Sequence, residues 1–268
     1  MIDLYGVIFL LGTGGLAGFL TGFFGVGGGL IMVPALILFL GSAGVSSLVS
    51  THLAVGTSLC VIIFTSVTPF HQARTQGHIG WRTIAFVGAA GLVGAVLGSS
   101  IAAGLQGKTL QLILGFLVML PALQLLANGK TQRKQPERSS EVPALMGGGL
   151  AMGFVSSLTG VEGSVPGIPM LYRLMSFPLK EAVGASSAAA LAAALASSVM
   201  SMIMGWGNTL LPAYTLGFVH CLAAIPLIVG TLPSAAWGVS VARKSPPRRM
   251  KKYYGVFLLA IAIKMIIF

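Results

Sequence analysis

Apolar runs separated by short polar segments fill most of the 268-residue chain. Uncharged runs such as 83–104 and 182–204 reach the ~20 residues that a helix needs to cross the hydrocarbon core of a bilayer. We therefore predict an all-α integral membrane protein. The predicted apolar elements lie at 4–24, 30–41, 48–69, 83–104, 109–127, 143–160, 165–175, 181–204, 211–242 and 253–267.

Two of these elements are too short to cross a bilayer alone. Elements 30–41 and 165–175 hold about 11 residues each, which makes about 16 Å of helix. Element 30–41 directly follows a glycine-rich segment at 25–29, and element 165–175 directly follows one at 160–164. Because each glycine destabilises a helix interior by about 1 kcal/mol relative to alanine, the helix is predicted to break in both segments.

The first half of the sequence recurs in the second half. GFLTGFFGVGGG at 18–29 aligns with GFVSSLTGVEGS at 153–164, and each segment runs on to a proline at the same spacing. Further along, AVGTS at 54–58 is echoed by AVGAS at 182–186. A series of matches in the same order predicts an internal duplication.

The polar stretch between the halves is predicted to be a surface linker. This division gives a first repeat at 1–127, a linker at 128–142 and a second repeat at 143–268. If each glycine-rich pair turns back to the side from which it entered, each half makes an odd number of crossings. The fold is then two inverted-topology repeats, each a Gly-rich broken helix pair or re-entrant hairpin plus three transmembrane helices. Interrupted helices in inverted repeats are typical of transporters, and the two breaks are predicted to meet near the membrane midplane.

The formal net charge of +11 does not indicate a nucleic-acid partner, because Lys and Arg lie mostly between apolar runs. If each glycine-rich pair is such a hairpin, nearly all basic residues lie on one side of the membrane: Arg74, Arg82, the linker, Arg173, Lys180 and the cluster at 243–252. The positive-inside rule makes that side cytoplasmic, so both termini and Asn208 are predicted to be non-cytoplasmic. A single broken crossing in place of each hairpin would put the cluster at 243–252 outside, against the rule.

Composition agrees with a membrane setting. Hydrophobic residues make up 55% of the chain and charged residues 8%, too few to cover a soluble globule. The lipid bilayer is therefore a predicted partner. The first four residues carry no basic n-region, so the first apolar element is expected to stay uncleaved. Cys60 and Cys221 lie in apolar runs and are interpreted as packing residues, with a disulfide or reactive thiol as the alternative.

Broken backbone inside a membrane leaves amide groups unpaired, which is tolerated only where they face protein or a polar cavity. A helix that starts after such a break directs its N-terminal amides and positive dipole end there, which favours an anion. The predicted substrate-binding residues are Gly25, Gly27, Gly28, Gly29, Gly160, Gly163 and Ser164, with hydroxyls from Thr57, Ser58 and Ser186. The turns at Gly28 and Gly163 are expected to need a positive φ. Two plainer interpretations are close helix packing by glycines and hydroxyls that bond to their own helix.

Ionisable residues inside the apolar runs are few, and such residues in a membrane mark function by default. Glu162 lies within the second break, where the first repeat has Gly27. A carboxylate there repels an anion unless it is protonated, so Glu162 is predicted to couple transport to protons, with His52 as a second candidate. The alternatives are a carboxylate that binds backbone amides, and packing histidines at His52 and His220. No metal site and no cofactor is predicted.

The motif GFLTGFFGVGGGLIMVPAL, its echo GFVSSLTGVEGSVPGIPML and the AVGTSL segment resemble the sulfite exporter TauE/SafE family. The resemblance covers essentially the whole chain. It implies an alternating-access carrier that moves a small anion, sulfite or an organosulfonate, outward across the cell inner (plasma) membrane. Glu162 and Ser164 depart from the glycines of the first repeat, and the family's members differ in substrate.

Two other classes of protein compete with this resemblance. A passive anion channel fits the glycines and the charge equally well and stays as the alternative function. An intramembrane protease needs a catalytic pair, and no GxSxG-like nucleophile setting accompanies His220, so the chain is predicted not to be an enzyme. The sequence predicts no particular oligomeric state.

Overall fold

The structure, a computed structural model, describes residues 3–24, 28–77, 79–127, 141–171, 177 and 179–242, with isolated positions from 256 to 266. The helices are α1 Leu4–Phe24, α2 Gly29–Ser42, α3 Ser47–Thr75, α4 Trp81–Gly104, α5 Gly107–Ala127, α6 Glu141–Thr159, α7 Ser164–Pro169, α8 Leu179–Met204 and α9 Cys221–Ala242. An antiparallel hairpin, β1 Thr215–Leu216 and β2 Val219–His220, precedes α9.

Six of the described helices (α1, α3, α4, α6, α8 and α9) are long and apolar enough to cross a membrane. Large apolar side chains such as Ile101, Val199 and Ile225 are exposed on the helix surfaces, as expected where lipid is the solvent. The predicted all-α integral membrane architecture is therefore confirmed. The predicted linker lies outside the described residues up to position 140, and so does the basic cluster at 243–252.

The prediction of one apolar element over 211–242 is wrong at its start. Residues 205–220 form turns and the short hairpin, and α9 begins only at Cys221. Tyr214 and Gly217 have φ values of 63° and 53°, whereas a right-handed helix requires a negative φ at every residue. The apolar character of this segment reflects partial burial at the end of the bundle and not a membrane crossing.

Helices α1 and α2 form a hairpin that returns to its starting end. Phe9 near the start of α1 stacks on Phe39 near the end of α2, with ring centroids 6.4 Å apart. Asp3, Val45 and Tyr214 line one crevice at this end of the molecule, which we call the Asp3 end. The short helix α2 therefore does not continue across the membrane.

Helices α3, α4 and α5 then run away from the Asp3 end, back to it, and away again. The Nε2 group of His52, in the second turn of α3, hydrogen-bonds the carbonyl oxygen of Ala102 near the end of α4 at 3.1 Å. Gly107, the first residue of α5, lies against the carbonyl of Ser47, the first residue of α3. The far end of α3, with Arg74, is called the Arg74 end.

Helix α6 runs parallel to α4, because Gly149 lies against Val87 and Ser157 lies against Gly98, further along both helices. It therefore points toward the Asp3 end, whereas α1 points away from it. Opposite directions of these two helices are what inverted repeats require. The inverted relation of the complete halves stays a prediction that this packing supports.

Close glycine contacts occur at equivalent positions of the two halves. In each half, two glycines four residues apart on the first helix lie against carbonyl groups of a helix from the other half: Gly14 on Leu227 and Gly18 on Thr231, then Gly149 on Val87 and Gly153 on Gly91. The glycines of the two sets correspond in the alignment of 18–29 with 153–164, extended back by four residues. Small residues at this spacing let helix backbones approach closely in a membrane. Each half thus packs its first helix into the other half.

Gly153 provides a test of this packing. An alanine Cβ at Gly153 would overlap the carbonyl oxygen of Gly91 and lie 3.0 Å from the backbone nitrogen of Ala95. Overpacking of this kind costs about 1–3 kcal/mol, so Gly153→Ala is expected to lower the thermal unfolding temperature of the detergent-solubilised protein. Gly147 on the same helix has no such neighbour within 4 Å, so Gly147→Ala is the matched control. Equal unfolding temperatures for the two variants would contradict the packing.

Candidate functional site

The second glycine-rich segment breaks its helix where the sequence predicts. Helix α6 ends at Thr159 and α7 begins at Ser164. Between them Gly160 has a φ of 66°, a conformation that glycine adopts readily and other residues rarely do. The Val161 N–H donates to the Thr159 hydroxyl at 3.2 Å, so the turn is held by its own side chain.

Of the first break, the structure describes Gly28 and Gly29, which adjoin α2, whereas the predicted site residues Gly25 and Gly27 lie outside the described residues. The carbonyl of Gly28 accepts hydrogen bonds from the first turn of α2, at 3.0 Å from the backbone nitrogens of both Ile31 and Met32. A second short helix thus begins directly after the break, as in the second half.

The expectation of a positive φ at Gly28 and Gly163 is wrong. Gly28 has a φ of −63°, and Gly163 is not among the glycines with positive φ, whereas Gly160 is. Space explains both glycines instead. A Cβ at Gly28 would lie 3.0 Å from the side chains of Ala17 and Thr21, and one at Gly163 would lie 3.0 Å from the carbonyl oxygen of Met152.

The two breaks are in direct contact, as predicted. A Cβ at Gly29, the first residue of α2, would overlap the carbonyl oxygen of Gly160 and lie 2.8 Å from the Cα of Val161. The Ser58 hydroxyl of α3 donates to the same Gly160 carbonyl at 2.7 Å. Backbone from both halves therefore meets beside the middle of α3.

Glu162 lies at this contact and is 2% exposed. The Ser66 hydroxyl of α3 donates to its Oε1 at 3.2 Å. Its Oε2 has no hydrogen-bond partner among the described residues, and no described Lys or Arg pairs with it. The Ser164 hydroxyl lies beside the same carboxyl but outside hydrogen-bonding geometry, and it too is buried without a partner in the described chain.

The predicted hydroxyls divide into two groups. Ser58 contacts the break directly, and its neighbour Thr57 accepts a hydrogen bond from the backbone N–H of His220 at 2.9 Å. Ser186 instead donates to the carbonyl of Val183 on its own helix at 3.0 Å, which is the plainer interpretation. Its Cβ still lies close to Gly167 of α7, so Ser186 packs against the second short helix without offering a free hydroxyl.

His52 forms no hydrogen bond to the described part of either break. Besides its bond to Ala102, its ring packs on Phe218 with centroids 5.1 Å apart. It lines a cavity of about 20 Å³ with Ser99, and neither the His52 Nδ1 atom nor the Ser99 hydroxyl has a hydrogen-bond partner in the described chain. A cavity of this size holds about one water molecule.

Sequence reasoning missed Ser66, the hydroxyl that contacts Glu162. The signal was the spacing of Ser58 and Ser66, which are eight residues apart and therefore about 80° apart around α3, on the same side of the helix. A second omission is Ser156 on α6, which is fully buried and has no hydrogen-bond partner within the described residues.

Buried breaks at the centre of a bundle of membrane-spanning helices define the class of protein, a multi-pass membrane transporter. Similar chains agree. Over 259 residues the chain is 26% identical to a probable membrane transporter protein of Haemophilus influenzae, covering 97% of both chains. A probable membrane transporter protein of Bacillus subtilis is 25% identical over 269 residues and 98% of both chains. No solved structure matches.

The chain belongs to the sulfite exporter TauE/SafE family, whose model matches residues 10–265. A probable membrane transporter protein of Methanocaldococcus jannaschii is a further relative, 24% identical over 243 residues, with 90% of this chain and 88% of the relative covered. Because the family is one of membrane transporters, the prediction that the chain is not an enzyme is confirmed.

Proposed function

We propose that the protein is an alternating-access carrier that exports small sulfur oxyanions, sulfite or organosulfonates, across the cell inner membrane. The observation that carries this proposal is the contact between the two breaks at Gly29 and Gly160. Buried polar atoms without partners among the described residues, the Glu162 Oε2 and the Ser164 hydroxyl, lie at the same contact. Unsatisfied polar groups at such depth favour a polar ligand, because each costs about 1–3 kcal/mol when left unpaired.

The seat for the anion is built from backbone. The carbonyl of Gly28 accepts from Ile31 and Met32, so the first two amides of α2, those of Gly29 and Leu30, have no acceptor within the helix. The positive end of the helix dipole points at the break. The breaks lie beside the middle of α3, whereas the described arginines Arg74 and Arg82 lie at its end and in the first turn of α4. Amide and hydroxyl donors therefore replace the hydration shell of the anion.

Glu162 couples the anion to a proton in this scheme. The described residues give the carboxyl one hydroxyl donor and no cation, so a bound proton satisfies it better than a bare charge. An arriving anion adds like charge nearby and strengthens this preference. Anion and proton then raise each other's affinity reciprocally, which is the thermodynamic basis of symport. His52 takes no part in this step, because it bonds to Ala102 and not to the described part of the breaks.

Charge along the chain sets the proposed orientation. Arg74 and Arg82 lie at the Arg74 end, where the linker and the basic cluster also belong if α5 and α9 complete their crossings. The positive-inside rule makes this end cytoplasmic. Asp3 and Asn208 then lie on the non-cytoplasmic side together with both termini.

Cysteine labelling tests this orientation. In a background with Cys60 and Cys221 replaced by alanine, Asn208→Cys is expected to react with a membrane-impermeant maleimide in intact cells. Gln135→Cys and Pro246→Cys are expected to react only after the membrane is permeabilised, because their segments are basic and cytoplasmic in the proposal. Labelling of position 135 or 246 in intact cells would refute the orientation.

A passive channel is the alternative function. It requires a water-filled path through the molecule, whereas none of the described residues of the breaks lines the crevice at the Asp3 end, and these residues are almost fully buried. This closed centre favours a carrier.

Flux through purified protein in liposomes tests the function. Uptake of radiolabelled sulfite, thiosulfate, taurine and sulfoacetate is measured with and without a pH gradient. A carrier shows saturation, exchange of labelled for unlabelled substrate, and a response to the gradient. Flux that rises linearly with concentration and shows no exchange would identify a channel, and no flux above protein-free liposomes would refute the proposal.

A further inference from the structure

A crevice of about 790 Å³ opens at the Asp3 end of the molecule. Its walls come from the start of α1, the end of α2 and the segment before α9, and they are mostly apolar, with Phe9, Phe39 and Leu222 among them. The ionisable side chains of the lining are Asp3, Tyr5, Tyr214 and His220. No described lysine or arginine lines it.

His220 is the buried polar group of this crevice, 7% exposed, and its ring is held in one orientation. The backbone N–H of Ala223, in the first turn of α9, donates to His220 Nδ1 at 3.3 Å. Because Nδ1 accepts this bond, the proton of a neutral ring sits on Nε2. The bond at Nδ1 is the one that the His220 ring makes within the described residues, so Nε2 is the donor left for a ligand.

A short chain of contacts connects His220 to the breaks. The backbone N–H of His220 donates to the Thr57 hydroxyl at 2.9 Å. The next residue of α3, Ser58, donates to the Gly160 carbonyl at 2.7 Å. The floor of the crevice and the proposed anion seat thus contact adjacent residues of α3.

We propose that the Nε2–H of His220 is the specificity-determining donor that binds the sulfur oxyanion between the crevice and the breaks. This inference rests on the proposed function and extends it to the non-cytoplasmic side of the path. The ligand is the S–O⁻ group shared by sulfite and the organosulfonates. The apolar walls also accommodate the short carbon chain of an organosulfonate.

The charge of the crevice favours release of an anion to the non-cytoplasmic side over its capture from that side. Asp3 is its one carboxylate among the described lining residues, and no described cation offsets that charge. An anion from outside is therefore attracted mainly by the buried His220 donor, whereas an anion leaving the seat meets that donor first. Loss of the donor weakens binding from the crevice side and leaves binding from the cytoplasmic side unchanged.

His220→Ser tests this role while keeping the two structural bonds of His220. Serine is a good N-cap and takes over the hydrogen bond to Ala223, and the bond to Thr57 uses the backbone N–H. Exchange of radiolabelled sulfite and of radiolabelled taurine is measured in right-side-out and inside-out membrane vesicles. Loss of a hydrogen bond to a charged group predicts a rise of about tenfold or more in the external half-saturation concentration. The cytoplasmic half-saturation concentration is expected to stay within about twofold of wild type.

Two further variants complete the test. His220→Gln keeps an N–H donor of similar reach and is expected to restore external half-saturation to near the wild-type value. Ser42→Ala is the control, since Ser42 lines the crevice but donates to the Phe39 carbonyl of its own helix. An unchanged external half-saturation in His220→Ser overturns the inference alone. Equal weakening from both sides, or the same loss in His220→Gln, also overturns it by showing a general structural role. Wild-type vesicles without oxyanion flux overturn the proposed function and this inference together.

Discussion

Replacing Gly29 with alanine is expected to reduce the transport of sulfur oxyanions strongly. An added Cβ at this position would overlap the Gly160 carbonyl and press on Val161, at the contact between the two breaks. Both neighbours are backbone, so neither can move aside as a flexible side chain would. Overpacking costs about 1–3 kcal/mol. If this cost destabilises the arrangement of the breaks that transports the anion, flux falls about 5- to 150-fold.

Gly41 supplies the matched control for this substitution. It lies on the same helix, α2, and an added Cβ there meets no atom of the described chain within 4 Å. Gly41→Ala is expected to transport at the wild-type rate. Amounts of each variant in the membrane and their thermal unfolding in detergent separate loss of the site from loss of the fold. Wild-type flux in a stably folded Gly29→Ala would show that the contact between the breaks is not the site.

Replacing Glu162 with glutamine is expected to remove the response of transport to a pH gradient. Glutamine is similar in shape to the protonated carboxyl and keeps an acceptor for the Ser66 hydroxyl. Substrate binding should therefore persist. In the wild type, one proton per anion lets a difference of one pH unit support about tenfold extra accumulation, because one unit is worth about 1.36 kcal/mol. In Glu162→Gln that extra accumulation is expected to vanish.

The measurement is accumulation of radiolabelled substrate in liposomes with the internal pH fixed and the external pH varied. Glu181→Gln, in the first turn of α8, is the control carboxylate and is expected to keep the wild-type response. A wild-type pH response in Glu162→Gln would leave Glu162 as a structural residue of the turn and would end its role in coupling.

The membrane-spanning elements could be predicted from the sequence because a long uncharged apolar run is stable in few settings besides a bilayer. The predicted element at 4–24 coincides with α1, Leu4–Phe24, and the glycine-rich segments break their helices as predicted. Hydropathy failed at 211–220, where an apolar average hid the turn signals of Pro212 and Gly217. A high average hydropathy indicates that a segment is buried but not that it is helical. A buried turn at the end of the bundle can therefore have the same average as part of a membrane-spanning helix.

The partners of the breaks could not be predicted from the sequence. Ser58 and Gly160 are 102 residues apart, and Ser66 and Glu162 are 96 apart, so both pairs depend on how the halves pack. A helical pattern tells which residues share a face but not which face meets a neighbour. The glycine-rich motif also could not distinguish a positive φ, found at Gly160, from a lack of space, found at Gly28.

Diffraction from crystals grown with 2-bromoethanesulfonate, recorded at the bromine absorption edge, tests the central claim most directly. This anion carries a sulfonate group and a heavy atom that can be located without ambiguity. The proposal predicts a bromine peak at the contact of the two breaks, with sulfonate oxygens within hydrogen-bonding distance of backbone near Gly29 and Gly160 and of the Ser164 hydroxyl. A transported bromoethanesulfonate whose ordered site lies elsewhere, with the breaks still in direct contact, would contradict it.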